Sequence, residues 1–151
     1  MINYMKIALD EAYSGINCGD GGPFGAVIVR DGEIIGRGHN RVLADNDPTM
    51  HGEVAAIRDA CRNIGSYNLQ GCTLYTTAYP CPMCLSAAMW ANIEKIVYGC
   101  SADDTAGIGF RDADFYKAFE DKKPIIPLSC EGRDDCLKLF EDYTALRSKR
   151  Y

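Results

Sequence analysis

The sequence predicts an α/β fold, a three-layer α/β/α sandwich around a five-stranded mixed sheet. Five segments of the sequence predict helices and five others predict strands, in the order α-β-β-α-β-α-β-α-β-α. Strands that alternate with helices are typical of a largely parallel sheet with helices on both faces. The opening pair of strands, joined by the tight turn Asp31-Gly32, adds one antiparallel pair.

The first part of the chain predicts a helix and then a β-hairpin. Apolar residues three or four apart over residues 2–14 predict an amphipathic helix that ends near Gly15. Residues 24–30 and 33–38 are rich in apolar and β-branched side chains on either side of the two-residue turn, so they predict paired strands. Residues 41–47 are predicted to form a polar loop.

The middle of the chain predicts a helix, a strand and a second helix. Proline suits the first turn of a helix and Asp47 can cap it, so Pro48 predicts a helix that runs to about residue 63. Residues 72–77 are β-branched and apolar and predict a buried strand. A proline-containing turn then leads into a helix over residues 83–91.

The last third of the chain completes the alternation. Residues 95–99 predict a strand, residues 113–120 a short helix, residues 124–128 a final short strand and residues 133–147 the last helix. No repeat or linker interrupts the chain, so residues 1–151 are predicted to form one domain.

Composition and charge favour a small substrate. No apolar run approaches the roughly 18 residues of a membrane span, and the N-terminus does not resemble a signal peptide. We therefore expect a cytoplasmic protein without a membrane partner. The formal net charge is −5, and the only dense basic run is at 147–150, which favours a small molecule over a large nucleic acid.

Two short motifs predict a metal site. Pro80-Cys81-Pro82-Met83-Cys84 places two thiols three residues apart at the start of a helix. His51 opens another helix, and the two helix N-termini can point to one place, where their partial positive charge favours thiolates. Two thiolates and one imidazole suit Zn²⁺, and three protein ligands leave the fourth position of a catalytic site for water.

Other interpretations of the cysteines explain less. A Cys-x-x-Cys pair alone is most often a redox pair or half of a four-ligand structural zinc site. The sequence has no second Cys-x-x-Cys or His-x-x-His motif, and a redox pair leaves His51 unexplained. The six cysteines outside this motif are predicted to be buried, reduced thiols.

Glu53 adds a proton carrier to this site. Side chains two residues apart on a helix point about 200° away from each other, so His51 and Glu53 can serve one site only off the helix end. Zinc lowers the pKa of water from roughly 15.7 toward 7. Glu53 is then the candidate to take a proton from the attacking water and pass it to a leaving amine.

His-x-Glu with Pro-Cys-x-x-Cys is a known signature of zinc deaminases. The sequence resembles the cytidine deaminase superfamily and, within it, the small bacterial guanine deaminases. The matching stretches are GGPFGAVIV at 21–29, NDPT-H-EV-AIR-AC at 46–61, PCPMC at 80–84, and Trp90-Ala91. The resemblance runs from the first helix to the C-terminus and implies a cytidine deaminase-like fold, a zinc cofactor and a homodimer with exchanged C-terminal segments.

The resemblance also implies a substrate, guanine, which such enzymes convert to xanthine and ammonia. Asp112 matches the family's substrate-binding carboxylate, and Asn40 matches its base-binding amide. The backbone N–H of Gly52 could support a heteroatom of the base. Phe24 and Tyr151 are candidates to stack on or cover a flat nucleobase.

Some positions depart from the guanine deaminase pattern and keep alternatives open. Gly52 replaces the usual alanine, and Tyr79 precedes Pro80 where these enzymes carry glutamate. The Gly-His-Asn at 38–40 and the CTLYTT strand are similar to fungal cytosine deaminase. The alternatives are cytosine or another aminated heterocycle, such as a triazine or a nucleoside. A tRNA adenosine is disfavoured by the acidic charge, and a non-catalytic zinc-stabilised module is disfavoured by Glu53.

The last helix supports the expected dimer. It carries more apolar surface than a solvated tail needs, at Leu137, Leu139, Phe140, Tyr143 and Leu146. The basic end at 147–150 is solvated enough to lead Tyr151 across a surface. We therefore expect residues from about 130 onward to pack on a partner and to place Tyr151 over its active site.

Overall fold

The computed structural model describes residues 1–151. In chain order the elements are α1 (Tyr4–Cys18), β1 (Gly25–Arg30), β2 (Glu33–His39), α2 (Val42–Asp45), α3 (Gly52–Ile64), β3 (Thr73–Ala78), α4 (Pro82–Trp90), β4 (Lys95–Cys100), α5 (Ala102–Gly107), α6 (Asp112–Glu120) and α7 (Arg133–Ala145). The chain divides into two compact units, Met1–Lys117 and Ala118–Tyr151. The single domain expected over residues 1–151 stays a prediction.

The sheet is mixed, as expected, but its pairing is not largely parallel. Its strand order is β2-β1-β3-β4. β1 pairs antiparallel with both β2 and β3, and only β3 and β4 pair in parallel. The strands β2, β3 and β4 therefore point the same way, as the alternation with helices implies. The prediction was wrong because β1 lies between β2 and β3, a long-range pairing that hydrophobic periodicity does not encode.

The sheet has four strands rather than the predicted five. Residues 124–128, predicted to be the last strand, form no strand. Pro124 and Pro127 lack the N–H groups that a ladder needs, which confines such a segment to a sheet edge or to a loop. Ile125, Ile126 and Leu128 are exposed, so the segment is also not buried.

Helices cover both faces of the sheet, which gives the predicted three layers. On β1, Ala26 and Ile28 face one core, shared with Ala56 and Ala60 of α3. Alternate residues point to opposite faces of a strand, so Val27 and Val29 face the other core. That second core includes Ala8 of α1.

The helix predicted to start at Pro48 begins at Gly52 instead. Asp47 does not cap it, because its Oδ1 accepts hydrogen bonds from the backbone N–H and the hydroxyl of Thr49, at 2.8 and 2.6 Å. This side chain closes a local turn, as aspartate often does in loops. The later start makes His51 the N-cap residue of α3 and so places it at the helix end.

Other boundaries also differ from the expectations. The helix α1 continues past Gly15 to Cys18, and Gly19 ends it in a left-handed conformation with φ of 71°. A Cβ on Gly15 would come within 2.6 Å of the ring of His39, so this glycine allows close packing inside the helix. The short helix α2 lies within residues 41–47, which were expected to form a loop, and α5 lies in a segment for which no helix was predicted.

The cysteines outside the Pro-Cys motif are less buried than predicted. Cys72 is buried and Cys61 is partly buried. The expectation is wrong for the remaining four, which are exposed: Cys18, Cys100, Cys130 and Cys136. Apolar neighbours in sequence did not ensure burial there.

None of the helices is long and apolar enough to cross a membrane.

Candidate metal centre and active site

The starts of α3 and α4 place the three predicted ligands. His51 and Cys81 are the N-cap residues of these helices, with extended backbone at φ/ψ of −71°/161° and −63°/167°. Pro82 is the first residue of α4, a position that suits its fixed φ. The backbone N–H of Cys84 donates to Cys81 Sγ at 3.5 Å, so both thiols lie on the first turn of α4.

The three side chains meet at one point. A ligand atom from each of His51, Cys81 and Cys84 lies within 4.8 Å of the other two. Nδ1 of His51 is 3.5 Å from Sγ of Cys81. Tetrahedral zinc, with Zn–S near 2.3 Å and Zn–N near 2.0 Å, brings a nitrogen and a sulfur ligand to about 3.5 Å from each other. The observed spacing therefore fits Zn²⁺, and a tetrahedral ion held by these three residues would keep one position for a non-protein ligand.

The electrostatics of the pair of thiols favour a cation. Hydrogen bonds from Cys84 and from His51 lower the pKa of Cys81 to about 4. The same hydrogen bond with Cys81, together with burial, raises the pKa of Cys84. The first thiol of the pair to ionise therefore opposes ionisation of the second. A cation bound between them would favour the thiolate form of both, as metal binding to cysteines does.

Glu53 lies beside this cluster and shares a cavity with His51. Its side chain is only 5% exposed. Its Oε1 accepts a hydrogen bond from Oγ1 of Thr76 at 2.5 Å. His51 and Glu53, two residues apart, could share a site only off the end of α3. The cavity that both residues line lies at this end of the helix. A buried carboxylate in this position can accept and release a proton next to the candidate metal ligands.

The cavity has a volume of about 450 Å³, within the range of roughly 300–1,000 Å³ that small-molecule sites occupy. Residues from separate parts of the chain line it, among them Phe24, Asn40, Phe110 and Asp112. Three of the five predicted substrate-binding residues, Phe24, Asn40 and Asp112, therefore line the cavity. A fourth, Gly52, stands in the chain between His51 and Glu53, which also line it.

Asn40 and Asp112 offer complementary hydrogen-bonding groups. Asn40 is 5% exposed, and its Oδ1 accepts from the backbone N–H of Val42 at 3.1 Å. Its amide nitrogen has no hydrogen-bond partner in the protein and is not fully buried, so it can donate to a ligand. Asp112 is the first residue of α6, and burial raises the pKa of its carboxyl. The carboxylate can accept from N–H donors.

Phe24 forms an aromatic wall with a residue that the sequence analysis missed. Its ring packs edge-on against Phe110, with centroids 5.0 Å apart. Gly52 lies against the same segment, since a Cβ there would come within 3.1 Å of the carbonyl oxygen of Phe24. The glycine in place of the usual alanine therefore allows the start of α3 to approach β1 closely. As the first residue of α3, Gly52 also has an N–H without an intrahelical partner.

Tyr79, the second departure from the expected pattern, also lines the cavity. Its ring packs edge-on against Tyr98 and Tyr116, with centroids 4.9 and 5.8 Å apart. The hydroxyl of Tyr116 donates to the carbonyl oxygen of Pro80 at 2.5 Å. Because Asp112 lies one helical turn before Tyr116, this bond joins the helix that carries Asp112 to the loop that carries Cys81.

Tyr151 lies in the second compact unit, where its side chain is 78% exposed. Its role as an aromatic cover stays a prediction. Three other residues were missed by the sequence analysis: Thr76, Phe110 and Tyr116. A threonine at a buried position of a core strand is the one signal that could have singled out Thr76, whereas the positions of Phe110 and Tyr116 depend on long-range packing.

The fold and the site define a zinc-binding deaminase. Comparison with known protein families agrees, because the family described as the cytidine and deoxycytidylate deaminase zinc-binding region matches residues 1–100. The chain belongs to this family of zinc-dependent aminohydrolases. The resemblance inferred from the sequence is therefore confirmed.

Individual relatives include deaminases with different substrates. Over 78% of this chain and 75% of the relative, the sequence is 50% identical to a guanine deaminase of Bacillus subtilis (strain 168). It is 41% identical to a tRNA-specific adenosine deaminase of Aquifex aeolicus (strain VF5), over 70% of this chain and 69% of the relative. The crystal structure of guanine deaminase from Bacillus subtilis matches 99% of both chains, with a TM-score of 0.91 and 42% identity.

Proposed function

We propose that the protein hydrolyses guanine to xanthine and ammonia. The observation that carries this proposal is the meeting of His51, Cys81 and Cys84 beside the buried carboxylate of Glu53, in a cavity of nucleobase size. The match to guanine deaminase of Bacillus subtilis, in sequence and over the whole fold, supports guanine as the base. The acidic net charge of −5 also favours a free base over a nucleic acid.

His51, Cys81 and Cys84 would hold Zn²⁺, which lowers the pKa of water toward neutrality and so supplies a nucleophile. Glu53 takes a proton from the attacking water and delivers it to the amino group at C2 of the base. The oxygen of the attacking water bonds to C2, the C2–N bond breaks, and the amine, which carries the delivered proton, leaves as ammonia. Burial of Glu53 keeps bulk water from competing for the transfer.

Asn40 and Asp112 would orient the base. The amide nitrogen of Asn40 donates to the carbonyl oxygen of guanine, and the carboxylate of Asp112 accepts from N–H groups along the ring edge. The aromatic wall of Phe24 and Phe110 provides an apolar surface for the flat ring. The backbone N–H of Gly52 is a further donor near the reacting edge.

A screen of ammonia release tests the proposal and its alternatives. The substrates are guanine, cytosine, adenine, guanosine, cytidine and an amino-triazine, each offered to the zinc-loaded protein. We expect guanine to be turned over fastest. Strong release from cytosine with guanine inert would replace guanine with the runner-up substrate. No release from any of them would favour a zinc-stabilised module without catalytic activity.

Substitution of Asp112 with asparagine is expected to lower kcat/KM for guanine by roughly tenfold to a hundredfold. An amide can place a donor against a donor of the base, and a buried unpaired group costs about 1–3 kcal/mol. Steady-state kinetics of ammonia release measures the change. Asp114→Asn is the matched control, since Asp114 is also in the first turn of α6 and does not line the cavity. Equal effects of the two substitutions would contradict a role of Asp112 in base binding.

We also propose that the protein is a homodimer with exchanged C-terminal segments. Every residue from Phe119 to Tyr151 is exposed in the single chain. The apolar residues of α7 are among them, with Leu139 and Phe140 more than 60% exposed. Most of the stability of a protein helix comes from packing of an apolar face, so α7 requires a surface to cover it. Resemblance to the family is the reason to choose a second copy of this chain.

The cytoplasmic location expected from the sequence stays a prediction.

Deletion of Tyr151 is expected to reduce guanine turnover and to leave zinc content and thermal stability nearly unchanged, because an aromatic cover acts by excluding water from the site. Mixed dimers of the Tyr151-deleted chain and the Glu53→Gln chain then test the exchange. If the segments exchange, the site with Glu53 is covered by Tyr151 of the Glu53→Gln chain, and activity returns. If they do not exchange, the site with Glu53 still lacks its cover, and mixing restores nothing.

A further inference from the structure

Thr76 occupies a position where an apolar side chain would be expected. It lies in the middle of β3 and is 0% exposed. Its pairing partner on β1 is Ala26, which belongs to the apolar core between the sheet and α3. Leu74, two residues earlier and therefore on the same face of β3, belongs to that core as well. A hydroxyl buried among such residues is unfavourable unless it is hydrogen-bonded.

Two acceptors surround this hydroxyl. Oγ1 of Thr76 is 2.5 Å from Oε1 of Glu53 and 3.1 Å from the carbonyl oxygen of Ala78. A hydroxyl has one proton to donate and lone pairs with which to accept. It can donate to the ionised carboxylate of Glu53. When Glu53 carries the transferred proton, the hydroxyl can accept from it and donate to Ala78 instead.

We infer that Thr76 is a positioning residue for Glu53. Its hydroxyl fixes the Glu53 carboxylate at the angle needed for proton transfer. This inference rests on the proposed function, in which Glu53 moves the proton. Glu53 is almost fully buried, and Thr76 supplies the only hydroxyl that hydrogen-bonds to it. The thiol of Cys84 also lies near Glu53, but as a zinc-bound thiolate it would have no proton to donate.

The position of the Thr76 hydroxyl is itself well determined. β3 is held on both sides, since Thr76 pairs with Ala26 on β1 and with Tyr98 on β4. The branched Cβ of threonine restricts its χ1 rotamer. β3 ends at Ala78, three residues before Cys81. The hydrogen bond therefore joins the start of α3 to the strand that leads into the metal-binding loop.

Thr76→Val separates the catalytic positioning of Glu53 from a purely structural role of Thr76. Valine has the shape of threonine, favours strands and suits an apolar core, so Thr76→Val should preserve the fold and the zinc. We expect kcat for guanine to fall by about tenfold to a hundredfold, in line with the effect of a misplaced catalytic group, while KM changes little. Thr76→Ser restores the hydroxyl and should return kcat to within about threefold of the wild type.

Thr105→Val is the matched control. Thr105 is also buried, at 2% exposure, and its hydroxyl donates to the carbonyl oxygen of Ser101, the N-cap residue of α5. The backbone N–H of Thr105 bonds to the same oxygen, so no group loses its last partner. This variant should keep the wild-type kcat. A Thr76→Val enzyme with unchanged kcat, or a Thr76→Ser enzyme as impaired as the valine variant, would overturn the inference.

A second measurement does not depend on turnover or on the valine variant. A buried hydroxyl that donates to a carboxylate exchanges slowly with water, so proton NMR of the wild-type protein should show the Thr76 hydroxyl. Its resonance should shift in Glu53→Gln, because the acceptor changes from a carboxylate to an amide. Absence of such a resonance, or a resonance indifferent to Glu53→Gln, would refute the positioning contact. A wild type inert toward guanine with the resonance present would instead refute the proposed substrate.

Discussion

Glu53→Gln is expected to lower kcat by about 10²- to 10⁴-fold, the usual contribution of a general acid–base group. This corresponds to about 3–5 kcal/mol of lost transition-state stabilisation. The amide has the size of the carboxylate but cannot take a proton from water and pass it to the leaving amine. Its oxygen can still accept the hydrogen bond that Thr76 donates to Oε1 of Glu53. Glu53→Gln should therefore slow the chemical step and leave folding intact.

Zinc content and thermal unfolding of Glu53→Gln should both match the wild type. Glu53 is not a member of the group formed by His51, Cys81 and Cys84, so the metal does not depend on it. Glu94→Gln is the matched control, because Glu94 is exposed and lies outside the cavity. A Glu53→Gln enzyme with a kcat near that of the wild type would mean that another group carries the proton.

The site was predictable from sequence where its geometry is local. Cys81 and Cys84 are one helical turn apart, and a proline between them marks the helix start. His51 and Glu53 are likewise fixed relative to each other by the start of α3, even though that start was predicted at Pro48. Asp112 and Asn40 were identified by resemblance alone, and the structure places both at the cavity.

Long-range packing accounts for what the sequence did not predict. The insertion of β1 between β2 and β3 depends on strand pairing between distant parts of the chain. Hydrophobic periodicity therefore indicated which way the strands run, but not which strands lie side by side. The contact of Thr76 with Glu53 joins residues 23 positions apart and leaves no motif. The apolar residues at 125, 126 and 128 were assigned to a strand because their exposure could not be known from their composition.

Substitution of any of the three ligands is expected to remove both the zinc and the activity. We expect one zinc ion per chain in the wild type, since the chain contains one such group. Loss of a partner that merely orients a ligand weakens metal binding by about 10–100-fold. Loss of a direct ligand from a three-ligand set should weaken it further, so His51→Ala, Cys81→Ala and Cys84→Ala should be isolated nearly free of zinc. Elemental analysis and ammonia release measure the two effects on the same samples.

Cys61→Ala is the matched control, because Cys61 is a free thiol on α3 that does not belong to the ligand group. It should retain one zinc ion and full activity. Ligand variants should also unfold at lower temperature than the wild type in the presence of zinc, because a metal that binds only the folded state stabilises it. An active enzyme without zinc would contradict the proposed chemistry. A stable Cys81–Cys84 disulfide in the native protein would contradict it as well, since a disulfide leaves neither sulfur as the thiolate that binds zinc.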